Sequence, residues 1–524
     1  MPYYLGFDSS TQSLTTMVIE AGDRNRRVVF ERAFEFDREL PEYGTTNGVR
    51  RSASELEVTS TPLMWADALD RMMAHVARHG GFDVQQLAAI AGSGQQHGSV
   101  YLNASAAQTW DALDPRRALA EQVGGIFSRP ESPVWMDEST RAECDAIEQA
   151  VGGAEALARL TGSRAYERFT GPQIRKFYLR QPDAWNVTDR IHLVSSFLAS
   201  LLAGAHAPLE PGDGSGMNLM DIRSLSWAPA ALGATAPELA RRLPPIERSW
   251  TVAGPLASYW QLRYGFPATR VIAWSGDNPC ALVGAGLAGP GRVGISLGTS
   301  DTIFGYTEEP CIDPHGAAHV FGSPTGGYMS LVCFRNGSLA RERIRDDYGL
   351  AWEQFSSALR ATTAGNHGGV LLPWFEPEIT PPVRRTGARR LGVHPGDAAA
   401  NVRAVIEAQM VSMRLHSPWR DDPPRRIHAT GGASANREIL QVMADVFEAD
   451  VYQMAGGNSA CLGAALRAFH ADQLAAGRQV SWDDVVAGFT DPVPGSHVVP
   501  IEEHAAIYRE MMERYAALEA DALR

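Results

Sequence analysis

Two short polar turns in this sequence carry the residues best suited to holding an anion. The first follows the apolar segment "YYLGF" and begins with one carboxylate, Asp8, before a run of small polar residues: Ser9, Ser10, Thr11, Gln12 and Ser13. Short apolar segments around such a cluster predict a strand, a tight turn and a second strand. Small residues in the turn leave backbone N–H groups and hydroxyls free to face a phosphate or another anion.

The second turn lies in "VGISLGTSDTIFGY", residues 293–306, and repeats the first at a constant offset of 288 (293 − 5 = 288). The offset pairs Thr11 with Thr299, whereas Asp8 is paired with Ser296. Two anion-binding loops that share one carboxylate suit a magnesium–nucleotide complex, since Mg²⁺ is usually held by one or two carboxylates and phosphate oxygens. Because strand–turn–strand segments are common, a chance likeness is the alternative to a true repeat.

The composition limits the partners of the chain. Its 524 residues predict two or more domains, and its net charge of −13 argues against binding to nucleic acid or to an anionic membrane. The longest apolar run, residues 194–209, is too short to span a bilayer, and the N-terminus lacks the pattern of a secretory signal. The five cysteines are scattered, which favours free thiols in a reducing cytoplasm.

The scarcity of lysine excludes two common ways of binding ATP. Of 47 Lys and Arg residues, only Lys176 is lysine, and it lies in "IRKFY". A Walker A loop needs Gly-Lys-Ser/Thr, and a protein kinase needs a lysine on its third strand. If this chain binds ATP, backbone N–H groups, hydroxyls and a metal ion must hold the phosphates.

Strand-like and helix-like segments alternate along the chain, which predicts an α/β fold. Apolar periodicity predicts strand–turn–strand at 87–102 and a strand, a turn and a helix opening near Pro279 in 271–287. The segment 206–250 reads as irregular, and "GLAGPGRV", residues 286–293, predicts a linker with a domain boundary near 288. Helices are predicted at 63–79, 139–151, 189–203, 398–417, 434–448, 459–471 and 503–524.

Three further polar stretches lie beside apolar segments in the first half. "GSGQQHGS" contains Gln96 and His97, "RAYERFTGPQI" contains Arg168, and "SGDNP" places Asp277 before a helix. The structural alternatives are a hydrogen-bonded core histidine, a solvated surface arginine and a helix N-cap. No second His or Cys lies at ligand spacing near His97, so a metal site is not expected there.

A glycine pair marks the second half of the chain. "HATGGASANREILQ", residues 428–441, places Gly431 and Gly432 between a strand and a helix. Glycines at that point let a ligand approach the backbone, and the helix N-terminus attracts anions. The alternative is an ordinary strand-to-helix turn.

Taken together and in this order, these stretches resemble the FGGY carbohydrate kinases of the actin/hexokinase-like superfamily. The resemblance runs from about residue 4 to about residue 470 and includes "SGQQHGS", "PVWMDEST", "SRAYERFTGPQI", "DGSGMNL", "GDNP", "SLGTSDT", "NGSLARERIR", "ATGGASANREILQVMADVF" and "NSACLGAA". It implies two ribonuclease H-like domains that close over ATP and a sugar in an interdomain cleft. Residues 1–288 would hold the sugar site and the first phosphate loop, and residues 289–524 the second phosphate loop and the adenosine site.

The resemblance also assigns roles to individual residues. It implies that Asp277 is the general base, that Asp8 acts through Mg²⁺, and that the sugar is bound by Gln96, His97, Arg168, Asp277 and Asn278. It implies that ATP is bound by Ser10, Thr11, Gln12, Ser296, Gly298, Thr299, Trp352, Gly431, Gly432 and Asn436. The sequence departs from the family pattern at Ala435 and in the segments 103–133 and 380–396.

Within the family, the likeness extends to members that phosphorylate D-xylulose, which implies ATP- and Mg²⁺-dependent formation of D-xylulose 5-phosphate by a cytoplasmic monomer or homodimer. The alternatives are a kinase for ribulose, ribitol or glycerol, a non-catalytic sugar sensor, and an actin-like or Hsp70-like ATPase. A sensor would be expected to lose the base, yet Asp277 and Asp8 are both present. A chaperone would need a peptide-binding domain, and little chain follows residue 480.

Overall fold

The structure, a computed structural model, describes residues 2–22, 25–313, 316 and 318–524. Strands and helices alternate along these ranges, which confirms the predicted α/β class. Two mixed sheets organise the chain, and each packs against a large apolar cluster of its own half. None of the helices in the described ranges combines the length and the apolarity that crossing a bilayer requires.

The first sheet contains the N-terminal hairpin. Its strands are β1 (Tyr3–Ser9), β2 (Ser13–Ala21), β3 (Arg26–Glu35), β4 (Leu87–Gly94), β5 (Val252–Pro255), β6 (Arg270–Ile272) and β7 (Ser275–Gly276). The strand order is β5-β6-β4-β1-β2-β3, and β7 pairs with the end of β4. Strand β1 is antiparallel to β2 and parallel to β4, so the carboxyl ends of β1 and β4 lie side by side.

The second sheet repeats this arrangement. Its strands are β8 (Arg292–Leu297), β9 (Asp301–Thr307), β10 (Ala318–Gly322), β11 (Tyr328–Phe334), β12 (Arg426–Thr430) and β13 (Asp450–Gln453), in the order β10-β11-β9-β8-β12-β13. Strand β8 is antiparallel to β9 and parallel to β12, as β1 is to β2 and β4. The hairpins match at the predicted offset, since β2 begins at residue 13 and β9 begins at residue 301.

The helices cover the sheets and connect their strands. The main ones are α1 (Pro62–His79), α2 (Thr170–Arg180), α3 (Val194–Ala203), α4 (Pro211–Ser215), α5 (Asp277–Gly284), α6 (Ser338–Asp347), α7 (Trp352–Ala361), α8 (Ala398–Leu415), α9 (Arg437–Phe447), α10 (Ser459–Ala475) and α11 (Ala505–Ala522). The other α-helices are Phe36–Glu39, Ala106–Asp111, Ala120–Val123, Arg141–Val151, Ala154–Thr161, Pro182–Val187, Pro229–Thr235, Ser258–Tyr264 and Trp482–Val486 in the described ranges. The other strands there are Arg50–Arg51, Val58–Ser60, Ser99–Asn103, Phe127–Arg129, Ser132–Pro133, Thr188–Leu193, Met220–Asp221, Ser226–Trp227, Val370–Leu372 and Arg389–Leu391.

The helix predicted for 189–203 is wrong in its first part. Thr188–Leu193 forms a strand that pairs with Ser99–Asn103, and only Val194 onward is helical. The change occurs where the Ser196 hydroxyl accepts a hydrogen bond from the Leu193 N–H, which fixes the start of α3. The segment predicted as irregular, 206–250, contains two short helices and a strand pair.

Helix α10 comes from the second half of the chain but packs on the first sheet. A Cβ added at Gly6 of β1 would lie 2.5 Å from the Ala465 amide nitrogen, so the strand and the helix touch through their backbones. The same helix crosses α5 at Gly463, where a Cβ would lie 1.9 Å from the Cys280 carbonyl oxygen. Through these contacts, one helix fixes both the strand that carries Asp8 and the helix that carries Asp277.

Candidate active site

Asp8 lies near the carboxyl end of β1, and both of its carboxylate oxygens accept hydrogen bonds. The Ser93 hydroxyl of β4 donates to Oδ1 at 2.8 Å, and Asn458 Nδ2, just before α10, donates to Oδ2 at 3.2 Å. The side chain is only 5% exposed, and burial raises its pKa above the ordinary value despite these donors. Two neighbouring elements therefore hold Asp8 in one orientation.

Asp277 is the first residue of α5, directly after β7. Because β7 pairs in parallel with Ser93 and Gly94 of β4, Asp277 emerges at the sheet edge where Asp8 lies. Its Oδ1 accepts hydrogen bonds from the Asn278 backbone N–H at 2.7 Å and from Asn278 Nδ2 at 3.0 Å. Burial, and then the Asp8 carboxylate, raise the pKa of Asp277 to about 7. The helix N-cap position belongs to Gly276, so Asp277 is not the cap.

Gln96 and Asn278 form an amide pair next to Asp277. Asn278 Nδ2 donates to Gln96 Oε1 at 2.9 Å, and Gln96 Nε2 reaches the Gly212 carbonyl oxygen at 3.4 Å. Gln96 follows β4, whereas Asn278 belongs to α5. The pair places oriented amide groups beside Asp277, and such groups can both donate to and accept from hydroxyls.

His97 is buried, and its tautomer is set by its surroundings. Its Nδ1 lies 2.7 Å from the Gly216 carbonyl oxygen. A carbonyl only accepts, so Nδ1 carries the hydrogen and Nε2 is left as an acceptor. Burial, and then the charge of Arg168, lower the pKa of His97 to about 3. The residue is thus a buried, hydrogen-bonded and neutral histidine whose Nε2 can accept a hydrogen bond.

Arg168 reaches the same region through an aromatic contact. The Phe169 ring lies 4.6 Å from the His97 ring, and the Arg168 guanidinium lies 5.7 Å from the Phe169 ring centre. Arg168 Nη2 also lies 3.3 Å from Nε2 of His319, a residue of β10 in the second sheet. The structure therefore brings Gln96, His97, Arg168, Asp277 and Asn278 to one region of the first half.

The first predicted phosphate loop, residues 10–12, is the turn between β1 and β2. The Ser10 hydroxyl bonds within the turn to Ser13, and Thr11 Oγ1 accepts a hydrogen bond from Trp135 Nε1 at 2.7 Å. The Gln12 side chain is exposed, and the backbone carbonyl oxygen of Gln12 accepts a hydrogen bond from the Phe36 N–H. Thr11 thus contacts the "PVWMDEST" segment, while the Gln12 side chain is available to solvent or a ligand.

The second predicted phosphate loop joins β8 and β9. The Gly298 carbonyl oxygen accepts from the Ser338 N–H at 2.8 Å and from Arg341 Nη2 at 3.3 Å, and Thr299 is exposed. Arg341 also forms a fully buried ion pair with Asp301, at 2.7 Å and 3.0 Å. Ser296 precedes this loop and is the second-last residue of β8.

A cavity of about 810 Å³ opens beside the second loop. Its lining includes five of the predicted nucleotide-binding residues: Gly298, Thr299, Trp352, Gly432 and Asn436. The Trp352 indole is 43% exposed on its wall. Ser296 and Gly431 are not among the residues that line the cavity. Gly431 has a φ of +83°, and a Cβ there would lie 2.4 Å from the Leu297 carbonyl oxygen.

Asn436 caps helix α9 at the edge of this cavity. Its Oδ1 accepts from the N–H groups of Glu438 and Ile439, and its Nδ2 donates to Ser356 Oγ of α7 at 2.7 Å. One side chain therefore holds two walls of the cavity together.

Several supporting residues gave no separate signal in the sequence. Asn458 and Arg341 fall inside quoted motifs, but nothing in those motifs indicates that they hold Asp8 and the second loop. His319 lies outside every quoted motif, and its contact with Arg168 spans 151 residues of chain. Asp213 opens the quoted "DGSGMNL" motif and Glu210 lies outside every quoted motif; both are buried, and the charges of Glu210 and Asp277 act on Asp213.

Comparison with known proteins identifies the family. Residues 131–284 match the N-terminal domain of the FGGY family of carbohydrate kinases, and residues 293–471 match its C-terminal domain. The chain is 44% identical over 527 residues to a xylulose kinase of Mus musculus, covering 98% of this chain and 93% of that protein. The chain belongs to the FGGY family of carbohydrate kinases.

Other similarities of this FGGY kinase agree with that placement. It is 42% identical to xylulose kinase 2 of Arabidopsis thaliana, covering 89% of this chain and 87% of that protein. The crystal structure of xylulose kinase from Rhodospirillum rubrum superposes with a TM-score of 0.80 at 20% identity, covering 99% of this chain and 98% of that one. The resemblance seen in the sequence and the expected two-domain actin/hexokinase-like fold are both confirmed.

Proposed function

We propose that this FGGY kinase transfers the γ-phosphoryl group of ATP to the primary hydroxyl of D-xylulose and releases D-xylulose 5-phosphate. The observation that carries the proposal is the position of Asp277. Its carboxylate lies beside Asp8 and the amides of Gln96 and Asn278, and its pKa is about 7. The sugar is chosen because the relatives that are 42–44% identical over most of this chain are xylulose kinases.

Asp277 is proposed to act as the general base. As the sugar oxygen forms its bond to the γ-phosphorus, the bond from that phosphorus to the β,γ-bridging oxygen breaks, and the hydroxyl proton moves to Asp277. A carboxylate with a pKa of about 7 accepts this proton readily at neutral pH. Because the bond to phosphorus is loose in such transfers, in-line placement of the two substrates matters as much as the base.

The sugar is proposed to bind among Gln96, His97, Arg168, Asp277 and Asn278. His97 Nε2 and the Asn278 amide oxygen would accept hydrogen bonds from sugar hydroxyls, while the Arg168 guanidinium would donate to sugar oxygens. A site built from directed hydrogen bonds rejects sugars that leave its buried polar groups unpaired, which is a stronger filter than apolar contact.

ATP is proposed to lie across the cleft from the sugar. The adenosine would occupy the cavity between Trp352, Gly432 and Asn436, and the phosphates would run past Gly298 and Thr299 toward Asp277. Ser10, Thr11 and Gln12 are proposed to face the phosphates from the first hairpin. Ser296 and Gly431 would shape the second hairpin from behind.

Asp8 fits a role in holding Mg²⁺. It is a single oriented carboxylate, and the described residues contain no group of three or more His, Cys, Asp or Glu side chains placed to bind a metal ion. Phosphate oxygens and water would therefore complete the ligands, as is usual for Mg²⁺. When bound with ATP, the ion would neutralise charge on the phosphates.

The division of labour between the two halves is part of the proposal. Residues 1–288 would form the sugar-binding domain and residues 289–524 the nucleotide-binding domain. We also propose that the enzyme works in the cytoplasm, because its cysteines are free thiols, Cys144, Cys280 and Cys461 among them buried.

ADP release from the purified protein with magnesium-ATP tests the proposal. The panel contains D-xylulose, L-xylulose, D-ribulose, ribitol, glycerol and a control without sugar. Strong preference for D-xylulose is expected. Preference for another sugar would overturn the substrate and keep the chemistry, whereas sugar binding without ADP release would leave a sensor.

A further inference from the structure

The edge strand of the second sheet touches the sugar side of the first half. In β10, the Val320 N–H donates to the Gly162 carbonyl oxygen at 3.2 Å, and the Gly322 N–H donates to Ser215 Oγ at 3.0 Å. A Cβ at Gly162 would lie 2.5 Å from the Val320 carbonyl oxygen, so the two backbones meet directly. His319 lies on this strand, one residue before Val320, and its ring reaches Arg168 of the first half.

The His319 ring is held between two polar partners. Its Nε2 lies 3.3 Å from Arg168 Nη2, and its Nδ1 lies 3.2 Å from Ser163 Oγ. A guanidinium only donates, so Nε2 must accept, and Nδ1–H then donates to the Ser163 hydroxyl. Burial, and then the charges of Arg168 and His97, keep the pKa of His319 well below its usual range, so the ring is neutral.

Arg168 is enclosed on one side and open on the other. Its guanidinium lies 5.2 Å from the Tyr166 ring centre and 5.7 Å from that of Phe169, and the His319 ring contacts both aromatic rings. On the other side, Arg168 lines a cavity of about 270 Å³ together with Trp135, whose indole donates to Thr11. The aromatic rings limit where the guanidinium lies, and the His319 acceptor fixes how it is turned.

We propose that His319 is a positioning residue for Arg168. The second sheet supplies, through one neutral imidazole, the acceptor that orients the guanidinium toward the sugar. Sugar affinity therefore depends on a residue outside the half that carries the sugar-binding side chains. The inference rests on the proposed sugar site, because it assumes that Arg168 contacts the sugar.

Two small substitutions separate this role from a packing role. In His319→Gln, Oε1 reaches about as far as Nε2 does and accepts from Arg168. In His319→Asn, the shorter side chain keeps a partner for Ser163 but does not reach Arg168. We expect His319→Asn to raise the KM for D-xylulose about tenfold, the size of a lost hydrogen bond to a charged group, with the KM for ATP and kcat within about twofold. His319→Gln should restore the sugar KM to within about threefold of the unsubstituted enzyme.

A second background tests whether His319 acts through Arg168. In an Arg168→Gln enzyme, which itself binds sugar weakly, adding His319→Asn should change the sugar KM little further. An equal rise in the KM values for sugar and ATP, an equal effect in both backgrounds, or no rescue by His319→Gln would overturn the proposal. If the enzyme turns over no sugar, the dissociation constant of D-xylulose from calorimetry replaces KM. If another sugar is preferred, that sugar replaces D-xylulose. Failure of the assigned reaction and failure of the His319 role therefore remain distinguishable.

Discussion

Asp277 combines two properties that suit the proposed general base, a position beside the amides of Gln96 and Asn278 and a pKa of about 7. Only the ionised carboxylate accepts a proton, so kcat/KM for the sugar should rise with pH and level off above a midpoint near 7. His97 does not disturb this limb, because its pKa is about 3. Measurement of kcat/KM from pH 5.5 to 8.5 checks the midpoint, and a value that stays constant across this range would contradict the raised pKa.

Asp277→Asn should lower kcat by about 10²-fold to 10⁴-fold, the range typical of lost general-base catalysis. The same substitution should raise the stability of the folded protein at alkaline pH. The pKa is about 7 in the folded protein against an ordinary 3.8, so the stability from this group is present below pH 3.8 and is lost as pH rises through 7. The variant should therefore have a higher Tm than the unsubstituted enzyme at pH 8. Near-normal turnover in a folded Asp277→Asn enzyme would remove the general-base role.

At the scale of elements, the crossing of α5 and α10 determines how the two carboxylates face each other. A Cβ at Gly463 would lie 1.9 Å from the Cys280 carbonyl oxygen and 3.0 Å from the Gly284 amide nitrogen, and neither backbone atom can move without its helix. Helix α5 begins at Asp277, and α10 begins after Asn458, which holds Asp8. Gly463→Ala should thus separate Asp277 from Asp8, lower kcat at least tenfold and cost about 1–3 kcal/mol of stability.

The matched control is Gly233→Ala, in the exposed part of the helix Pro229–Thr235. A Cβ there meets nothing within 4 Å, so kcat should be unchanged and Tm equal or slightly higher. Steady-state kinetics and thermal unfolding of both variants make the comparison. Equal behaviour of the two variants would show that the helix crossing does not position the carboxylates.

The elements that could be predicted from the sequence are those whose signal is local. The hairpins on either side of Thr11 and Thr299 follow from short apolar segments around small polar turns, and β2 and β9 begin at the predicted offset. The start of α3 was placed too early, because apolar residues over 189–203 fit a buried helix and a strand entering a helix equally well.

The candidate site was less accessible to local patterns. Taken alone, "SGDNP" allowed a helix cap at Asp277, and only the family resemblance linked it to Asp8. The structure places the two carboxylates at one sheet edge through strand pairing between residues far apart in the chain. The contact between His319 and Arg168 could not be predicted from the sequence for the same reason. Arg168 lies in the first half of the chain and His319 in the second sheet, and no periodicity relates the two. The catalytic and binding roles of these residues stay predictions until variants are measured.

At the scale of the whole molecule, the proposed nucleotide site and the proposed sugar site belong to different halves of the chain. Trp352 is 43% exposed at the cavity beside the second loop, while Asp277 lies at the edge of the first sheet. Transfer to the sugar rather than to water requires that the two halves approach and exclude solvent. Helix α10 connects the two halves, since it follows the second sheet in the chain and packs on the first sheet.

We expect the radius of gyration to fall when both substrates bind. The Asp277→Asn enzyme makes the measurement possible with ATP itself, because the expected loss of kcat, about 10²-fold to 10⁴-fold, slows turnover of the complex with D-xylulose and magnesium-ATP. Small-angle X-ray scattering of this variant should show a smaller radius with both ligands than with either one, since only the ternary complex joins the two sides of the cleft. An unchanged radius, together with ATP hydrolysis that is as fast without sugar as with it, would show that the cleft does not close and that some other feature protects the γ-phosphate from water.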